Sequence, residues 1–543
     1  MSGAAVPARI APPDYFHDGH TIGSWLTTTD HKRIAILFAL SITVFFAVGA
    51  IAIAVVRLSL LTPSGGLVSD DTYNKLFTLH GIVMVWFFLV PSIPVTFGNF
   101  LLPLMIGAKD LAFPRINLLS WYLYAGGAAF TVATIIAGGV DTGWTFYTPY
   151  STMFSNGAVL IAAGGVIVVG FSSVMTGMNF IATIHMLRAP GMTWFRLPLF
   201  VWSIYATSLV MVLATPVLAM TLLLIMAERW FELPIFDPGR GGDPLLFQHL
   251  FWFYSHPAVY IMVLPAMGVA SEIIACFARR RLFGYAFMVY AILGIAVIGF
   301  FVWGHHMFVS GQSPYANVVF SFLSFMVAVP SAIKVFNWTA TLYRGSILFA
   351  APMLYAFSFL GLFTIGGLTG LFLATVPIDI HVTDTYFVVA HFHYIMVGGT
   401  VSAFFGGLHF WWQKITGRLY PEPWAAFAAV LMFFGFNFTF FPQFVMGYHG
   451  MPRRYHVYPA EFQVYHVLST GGAALLGVAY LLPLAYLTWS LFHGRRARSN
   501  PWDAKGLEWQ APSPPPHDNF LTPPVVTDPY DYHPPEGPMD ETA

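Results

Sequence analysis

The sequence has 543 residues, of which 57% are hydrophobic and only 9% are charged, and its formal net charge is zero. Soluble domains carry about 25% charged residues, so this composition excludes an ordinary soluble protein and predicts a polytopic membrane protein in contact with the lipid bilayer. The zero net charge gives no indication of nucleic-acid binding. The single cysteine, Cys276, excludes intramolecular disulfides and thiolate-ligated clusters. Any bound metal would therefore depend mainly on the 19 histidines.

Twelve apolar segments are long enough to cross a bilayer, which takes roughly 20 residues in a helix. They lie at 34–57, 77–105, 118–140, 155–185, 196–226, 247–277, 284–304, 317–341, 346–373, 386–411, 424–446 and 463–492. The predicted fold is an all-α, polytopic bundle of twelve transmembrane helices within one catalytic domain, 34–492. Before it stands a polar segment, 1–33, and after it a tail, 493–543, that is first basic and then rich in proline and is predicted to be extended.

Basic residues predict the orientation of the bundle. Of the 24 lysines and arginines, 17 fall on the side of the N-terminus, six fall on the opposite side, and Lys334 lies inside a span. Cytoplasmic loops carry the excess of basic residues, so both termini are predicted to be cytoplasmic. The even number of spans agrees with this orientation.

Four of the histidines in or beside the apolar spans precede the segment Thr385–Tyr394. His80 stands alone in TLHGIVMVWF, and alone it fits a core histidine at least as well as a ligand. His256, in FYSHPAVY, precedes Tyr260 by four residues, so both side chains lie on one helical face and can touch. His305 and His306, in WGHHMF, can bracket one ion if a third ligand comes from another helix, and His256 could be that ligand. Three imidazoles with an open position suit copper or zinc, and a redox role favours copper.

The segment Thr385–Tyr394, TYFVVAHFHY, carries His391 and His393 two residues apart. A helix turns about 100° per residue, so these two imidazoles point in nearly opposite directions and are predicted to serve two different centres. Six buried histidines in a chain with so few charges would be costly without partners, and metal is a common one. The other histidines near span ends are interpreted as ordinary interfacial residues: His185, His249, His409, His466 and His493.

These motifs together resemble subunit I of the heme–copper oxidases, the terminal oxidases of aerobic respiration. The resemblance runs from about Thr27 to Pro516 and belongs to the branch that has a YSHP motif. It implies that His80 and His393 ligate a low-spin heme and that His391 is the proximal ligand of a high-spin heme. It also implies that His256, His305 and His306 bind one copper ion, CuB. Tyr260 matches the family tyrosine that is cross-linked to a copper histidine and supplies an electron and a proton for O–O cleavage.

The resemblance extends to residues that would hold the hemes. Arg453 and Arg454 in MPRRY, with Trp144 in TGWTFY, look like the group that binds the heme propionates. Bidentate pairing of guanidinium with carboxylate gives a physical reason for two arginines on the outer side. Arg57 looks like the arginine that bonds a formyl substituent of the low-spin heme, which favours heme A. Trp252 resembles the tryptophan beside the copper site.

Two proton paths are implied as well. Lys334 is the only lysine inside a predicted span, where an amine is too costly to be incidental, and with Ser331, Ser271 and Tyr260 it resembles one family path. The alternative is a lysine that extends to the interface. Asp110 resembles the mouth of the second path, although a loop carboxylate by itself is usually only solvated. The matching lining residues of that path are Asn99, Asn117, Asn179, Ser172 and Ser173.

The sequence departs from the family pattern in two places. Ala258 stands where many members have the glutamate of HPEVY, and Tyr254 with Ser255 precedes His256 instead. We expect the Tyr254 hydroxyl, one turn earlier on the same helix, to order water in similar space. The second departure is at Thr383, where the family commonly has histidine in a His-Asp pair that binds magnesium. Asp384 is retained as a candidate magnesium ligand, and the Thr383 departure places that site in doubt.

The predicted function is the catalytic subunit of a proton-translocating oxidase of the cytochrome c oxidase type, with quinol oxidase as an option. The chain has no copper-binding cysteine pair and no CxxCH motif, so electrons must enter through a partner. The resemblance implies a subunit II with a dinuclear copper centre, a subunit III, cytochrome c as donor, O2 as substrate, and a bacterial inner membrane as location. Nitric oxide reductase is the alternative within the superfamily, and Tyr260 and Lys334 argue against it. A heme-free secondary transporter is the alternative from another class.

Overall fold

The computed structural model describes residues 13–532, and this part of the chain is helical without any β-strand. Within it, eleven helices are long and apolar enough to cross a membrane, and one further apolar helix is shorter. In chain order the helices are α1 His31–Ser59, α2 Asp70–Ile106, α3 Pro114–Ile136, α4 Ala158–Met186, α5 Leu199–Phe231, α6 Pro244–Ala278, α7 Tyr285–Phe301 (the shorter one), α8 Pro314–Leu342, α9 Ala351–Ala374, α10 Tyr386–Thr416, α11 Glu422–Tyr448 and α12 Ala460–His493.

Each helix coincides with one of the twelve predicted spans, so the predicted all-α bundle is confirmed. The largest difference in a boundary is at the start of α2, which begins at Asp70 and not at 77. The first turn of this helix is polar, and the hydropathy pattern therefore missed it. The Ser69 side chain accepts a hydrogen bond from the Thr72 backbone N–H, and Asp70 and Asp71 lie in the first turn, where negative charge is favourable.

Helix α6 is the centre of the bundle. An 18-residue apolar stretch of this helix is completely buried, and the helix packs against α5, α8, α9 and α10. A helix that is apolar on all sides belongs in such a position. The approach to α5 is close, because a Cβ atom on Gly268 would lie only 2.2 Å from the Ser203 hydroxyl oxygen. Small residues allow this close packing of membrane helices.

Two helices change their hydrogen-bond pattern near the candidate site. In α2 the stretch Val83–Leu89 is π-helical, and in α10 the stretch Met396–Val401 is π-helical. The first begins three residues after His80 and the second three residues after His393. Short π-helical stretches inside α-helices occur often at functional sites. The two stretches contact each other, so they bring the two histidine-bearing helices together.

The described ends of the chain meet on one face of the bundle. Asp14 pairs with Pro516 in an isolated β-bridge, and the Tyr15 backbone N–H donates to the Pro515 carbonyl at 3.1 Å. This placement agrees with an even number of spans. After α12 the chain continues as a tail with one short 3₁₀ turn, Leu507–Gln510, packed on this face. The outermost parts of the predicted terminal segments, 1–12 and 533–543, lie outside the described residues.

Candidate heme and metal site

Three histidines converge where α6 meets the end of α7. The Nδ1 atom of His256 lies 3.0 Å from Nε2 of His306, and Nε2 of His305 lies 3.2 Å from the same atom. Ligand atoms of all three residues lie within 4.8 Å of one another, and among residues 13–532 this is the only such group of three or more potential metal ligands. Three neutral imidazoles with nitrogens aimed at one point form a donor set that suits copper or zinc.

Local structure sets the positions of these rings. His256 is on α6, whereas His305 and His306 lie in the 3₁₀ turn Trp303–Met307 that follows α7. A 3₁₀ turn is wound more tightly than an α-helix, and here it directs the adjacent His305 and His306 side chains toward α6. The Trp252 indole stacks on the His306 ring with centroids 3.7 Å apart and an angle of 12°. His305 is held from its other side, because its Nδ1 lies 2.8 Å from the Ser324 hydroxyl.

Tyr260 packs directly against this cluster. Its ring and that of His256 have centroids 4.8 Å apart at an angle of 69°. The Nε2 atom of His256 is buried and has no hydrogen-bond partner. Gly299 makes room for the tyrosine, since a Cβ atom there would lie 2.5 Å from its ring. The His–Tyr contact predicted from the spacing of four residues is therefore present.

His391 and His393 leave α10 in different directions, as their spacing predicts. The Nδ1 atom of His391 lies 3.2 Å from the Thr369 hydroxyl of α9, and a Cβ atom on Gly370 would lie 3.0 Å from its ring. His391 is also within electrostatic reach of the three-histidine cluster. His393 instead stacks on Phe440 of α11, with ring centroids 4.2 Å apart. The two imidazoles thus occupy different environments on one helix.

His80 of α2 is the counterpart of His393. The Nδ1 atom of His80 lies 2.9 Å from the Gly49 carbonyl oxygen, and Nδ1 of His393 lies 2.8 Å from the Val389 carbonyl oxygen. Each carbonyl fixes the proton on Nδ1 and leaves Nε2 with a free lone pair, the state in which histidine binds a metal. The two rings are within electrostatic reach of each other. His80 and His393 would each offer one nitrogen to a shared metal centre.

Arg57 is buried at the outer end of α1 and contacts α12. Its guanidinium donates to the His466 carbonyl at 2.8 Å and to the Thr470 hydroxyl at 3.0 Å, while its Nε–H has no partner. His466 is fully buried and its ring stacks near Tyr458, with centroids 4.2 Å apart. The interpretation of His466 as an interfacial residue is wrong. A free donor on Arg57 is compatible with a polar substituent on a bound group.

His409 is the second histidine whose interfacial interpretation is wrong. It is fully buried in α10, where its Nδ1 lies 2.6 Å from the Phe405 carbonyl oxygen. Its Nε2 lies 2.6 Å from the Tyr486 hydroxyl. Both ring nitrogens therefore have partners within the protein, and His409 is a satisfied core histidine that leaves no nitrogen for a metal.

The two adjacent arginines lie in the loop between α11 and α12. The Arg453 guanidinium donates to one Asp384 carboxylate oxygen from Nε at 3.0 Å and from a terminal nitrogen at 2.6 Å. The Arg453 backbone N–H also donates to the Asp384 carbonyl, so this loop is fastened to the start of α10. Burial and the charge of Arg453 lower the pKa of Arg454 to about 10. The Arg454 guanidinium lies beside Gly143, next to Trp144.

Trp144 joins this outer group to the two histidine centres. A Cβ atom on Gly81 would lie 2.9 Å from Trp144, so the indole rests on the residue after His80. Trp144 also packs edge-on against Trp252, with ring centroids 5.9 Å apart. The structure thus brings together the aromatic and basic residues that the resemblance assigns to the hemes. A cluster of positive charge with neighbouring flat side chains suits the carboxylate edge of a planar group.

Asp379 is a buried acidic residue that the sequence analysis missed. It lies in the short helix Val376–Val382 between α9 and α10, and burial raises its pKa to about 7. Asp384 and Arg453 act on it electrostatically. The pattern that contains it, PIDIHVTD, offers no distinctive spacing, so only tertiary contacts identify it. Asp384 itself is engaged with Arg453, and its role as a magnesium ligand remains a prediction.

Lys334 of α8 is fully buried, which excludes an amine that extends to the interface. Its Nζ has no hydrogen-bond partner and lies 4.9 Å from the centroid of the Trp338 ring. The Trp338 indole N–H donates to the Ser271 hydroxyl at 2.9 Å. This hydrogen bond links α8 to α6, the helix that also carries Tyr260. The Ser331 hydroxyl donates only to the Val327 carbonyl of its own helix. An unpaired buried amine of this kind points to water or a functional role.

Asp110 lies in the loop between α2 and α3, where burial raises its pKa to about 7. Asn179 of α4 holds this loop through both the backbone N–H and the carbonyl of Phe113, at 2.9 and 3.1 Å. Deeper in the bundle, the Asn99 Oδ1 atom and both amide atoms of Asn117 are buried without partners. Unsatisfied buried polar atoms of this kind are normally served by ordered water.

Further polar side chains, on α4 and α5, continue the line that begins at the Asp110 loop. The Ser172 hydroxyl donates to the Ser120 carbonyl at 2.7 Å, and the Ser173 hydroxyl donates to the Gly170 carbonyl at 3.0 Å. Gly170 lies against Thr215 of α5, whose buried hydroxyl has no hydrogen-bond partner. Thr215 was not predicted, because an isolated threonine in an apolar helix carries no local signal.

Tyr254 stands between this line of polar residues and the copper-ligand candidates. It is buried beside Thr215, and its ring stacks on Trp86 with centroids 5.7 Å apart. The indole nitrogen of Trp86 and the Ser255 hydroxyl are buried and have no hydrogen-bond partners. Helix α6 thus presents polar groups at 254 and 255, about one turn before Ala258.

The comparisons with known proteins agree with this arrangement. The family model described as cytochrome c and quinol oxidase polypeptide I matches residues 33–475. The chain is 42% identical over 504 residues to a cytochrome c oxidase subunit 1 from Thermostichus vulcanus, covering 93% of this chain and 91% of that protein. It is 40% identical over 514 residues to the subunit 1 from Bacillus subtilis, covering 94% and 82%.

A solved structure titled as a heme–copper terminal oxidase dimer has the same fold, with a TM-score of 0.75 at 20% identity over 86% of this chain and 85% of that one. The apolar helices make the chain an integral membrane protein. The extent of the family match and the identity to curated relatives together show that the chain is an oxidoreductase that belongs to the family of subunit I of the cytochrome c and quinol oxidases.

Proposed function

We propose that this chain is the catalytic subunit of a respiratory terminal oxidase that reduces O2 to water and couples the reaction to proton uptake and proton pumping. The observation that carries the proposal is the placement of two separate groups of histidine nitrogens around one helix. His391 faces the cluster of His256, His305 and His306, and His393 of the same helix faces His80.

The residues present fit two hemes and one copper ion, CuB. The cluster offers three histidines to one ion, and the buried Nε2 of His256, whose ring contacts Tyr260, has no hydrogen-bond partner, which supports a covalent link to the tyrosine. When bound, the two iron porphyrins and the copper supply the redox chemistry toward dioxygen. The chain holds the low-spin heme through His80 and His393 and the high-spin heme through His391.

Protein groups around the hemes support heme A. Arg57 is buried with a free Nε–H donor, which can bond a formyl oxygen. Arg453 and Arg454 supply positive charge for propionates, and Trp144 packs beside them. Each guanidinium presents planar donors that match a carboxylate.

Proton delivery is assigned to two sets of side chains. Lys334, Ser271 and Ser331 lie below Tyr260, and Asp110 opens the line of polar residues that passes Asn117 and reaches Tyr254. Two observations support this assignment. The Lys334 amine and the Asn117 amide are buried without partners, and these groups are costly unless they bind water or carry protons.

Electrons enter this chain from a partner. We assign that role to a subunit II with a dinuclear copper centre, accompanied by subunit III, and cytochrome c is the proposed donor. The excess of basic residues on the side of the termini supports a cytoplasmic location for both termini, and we assign the chain to a bacterial inner membrane. Two relatives of the chain are cytochrome c oxidase subunits, which supports cytochrome c over quinol as donor.

The test is spectroscopy and metal analysis of the purified complex. We expect two hemes, identified as heme A by pyridine hemochrome analysis. We also expect one copper ion in addition to any copper in a partner subunit. Iron without this copper would support the alternative of a nitric oxide reductase. A colourless protein would support the heme-free transporter, which family membership already disfavours. Oxygen consumption with reduced cytochrome c and with quinol separately identifies the donor.

A further inference from the structure

The C-terminal tail reaches the loop that carries Asp110 through one buried side chain. Asn519 is completely buried although it lies 26 residues beyond the end of α12. Its Nδ2 donates to the carbonyl oxygens of Ala108 and Lys109, at 2.9 and 3.1 Å. These are the two peptide groups immediately before Asp110. Asn519 therefore holds the backbone that sets the position of this carboxyl group.

The same amide group is bound from the opposite side by the start of α1. The Lys32 Nζ donates to the Asn519 Oδ1 at 2.8 Å, and the Asn519 Nδ2 donates to Nε2 of His31 at 3.0 Å. The Nδ1 atom of His31 lies 2.7 Å from the Asn99 carbonyl oxygen. A continuous set of hydrogen bonds thus joins the backbone of Asn99, inside the proposed path, to the loop at its mouth.

The tail around Asn519 is fixed at further points. Lys32 Nζ also donates to the His517 carbonyl at 3.0 Å, and Asp518 lies 3.6 Å from the Lys109 amine. Asn519 has a φ angle of +68°, a left-handed conformation that asparagine tolerates better than most residues. Farther on, the Tyr530 hydroxyl donates to the Glu272 carboxylate at 2.6 Å. The segment is therefore a fixed part of this face of the bundle.

We propose that Asn519 is a positioning residue for proton uptake, and that the tail segment 515–519 forms part of the proton entry by holding the Asp110 loop. The proposal rests on the assignment of Asp110 to a proton path. If the Asn519 amide is removed, the buried carbonyl of Ala108 and the part-buried carbonyl of Lys109 lose this donor. The loop then relaxes toward water, and the Asp110 carboxyl leaves the line that leads to Asn117.

The experiment uses the complete oxidase complex in lipid vesicles with the variants Asn519→Ala and Asn519→Gly. Glycine adopts the left-handed conformation without strain, so it separates loss of the amide from damage to folding. Proton uptake and the number of protons released per electron are measured beside the heme spectrum. We expect turnover limited by proton uptake to fall about fivefold, the effect of losing one buried hydrogen bond, with the heme spectrum unchanged. Gln510→Ala is the control, because Gln510 bonds only to Val525 of the tail and should leave uptake unchanged.

A double variant distinguishes a failure of this proposal from a failure of the proposed proton path through Asp110. If Asn519 acts through Asp110, then Asn519→Gly added to Asp110→Asn lowers uptake no further than Asp110→Asn alone. Additive losses, or normal proton uptake in both Asn519 variants, would overturn the positioning role. Normal uptake in Asp110→Asn would instead overturn the proposed path itself. Loss of the heme spectrum in both Asn519 variants would show a role in folding and also overturn the proposal.

Discussion

His256 and Tyr260 touch across one turn of α6, with ring centroids 4.8 Å apart, and the Nε2 atom of His256 is buried without a partner. The Nδ1 atom of the same ring lies 3.0 Å from Nε2 of His306. One imidazole is therefore placed to serve a metal with one nitrogen and the tyrosine with the other. This relationship connects the proposed copper ion to a side chain that can release both a proton and an electron.

Replacement of Tyr260 by phenylalanine tests that connection. The ring and its packing against Gly299 remain, so we expect normal heme and copper content. Loss of the hydroxyl removes a proton and electron source, and O2 consumption should fall by about 100-fold or more, in the range of a lost general acid. The measurement is O2 uptake at saturating donor. Tyr290→Phe, at an exposed position of α7, is the matched control, and equal activity in the two variants would contradict the assignment.

Tyr254→Phe tests the role of the tyrosine that precedes the copper-ligand histidine. The aromatic stack on Trp86 is retained, so stability should change little. The lost hydroxyl would have ordered water beside Thr215, and we expect slower turnover or fewer protons pumped per electron, by about two- to tenfold if one hydrogen-bonded water site is lost. Vesicle assays with a pH indicator measure both quantities. Full turnover together with full pumping would show that the hydroxyl does not replace the missing glutamate at Ala258.

Lys334→Met gives opposite effects on stability and on function. The lysine amine is fully buried without a hydrogen-bond partner, so an apolar side chain of similar length should stabilise the fold by about 1–3 kcal/mol. The thermal unfolding midpoint should therefore rise, while proton delivery to Tyr260 and turnover fall. Lys75→Met serves as the control, because Lys75 forms only an i,i+4 ion pair with Asp71. A variant that loses both stability and turnover would contradict a transport role for this amine.

The pH dependence of stability tests the environment of Asp110. Burial raises the pKa of this carboxyl from 3.8 to about 7, so the folded state binds a proton that the unfolded state releases. This contribution to stability is full below about pH 4 and is lost as the pH rises through 7. The unfolding midpoint of Asp110→Asn relative to the wild type should therefore increase between pH 4 and 7 and level off above that. A constant difference across this range would show that Asp110 is fully solvated.

The spans were predictable because each is a local pattern of about 20 apolar residues, and all twelve helices follow it. Helix ends were less certain, because a polar first turn such as that of α2 is stabilised by Ser69 and not by hydropathy. The contact of His256 with Tyr260 and the divergence of His391 from His393 were also predictable. Both depend only on the turn of a single helix.

Other parts of the site depend on contacts between distant parts of the chain. His466 is far from Arg57 in sequence and becomes its buried partner only when α12 packs on α1. Asp379 is an ordinary acidic residue until α9 and α10 bury it. Asn519 lies in a tail whose composition predicts extended structure, and nothing in its neighbours indicates that it reaches the Asp110 loop. No local periodicity encodes these pairings.

The central claim is that α10 carries axial ligands for two different hemes, and optical spectra of His391→Ala and His393→Ala in the purified complex test it most directly. We expect His393→Ala to lose the low-spin heme signal and His391→Ala to lose the high-spin signal, with the other heme retained in each case. His185→Ala, at an exposed histidine of α4, should retain both signals. Loss of the same heme signal in both α10 variants would contradict the account.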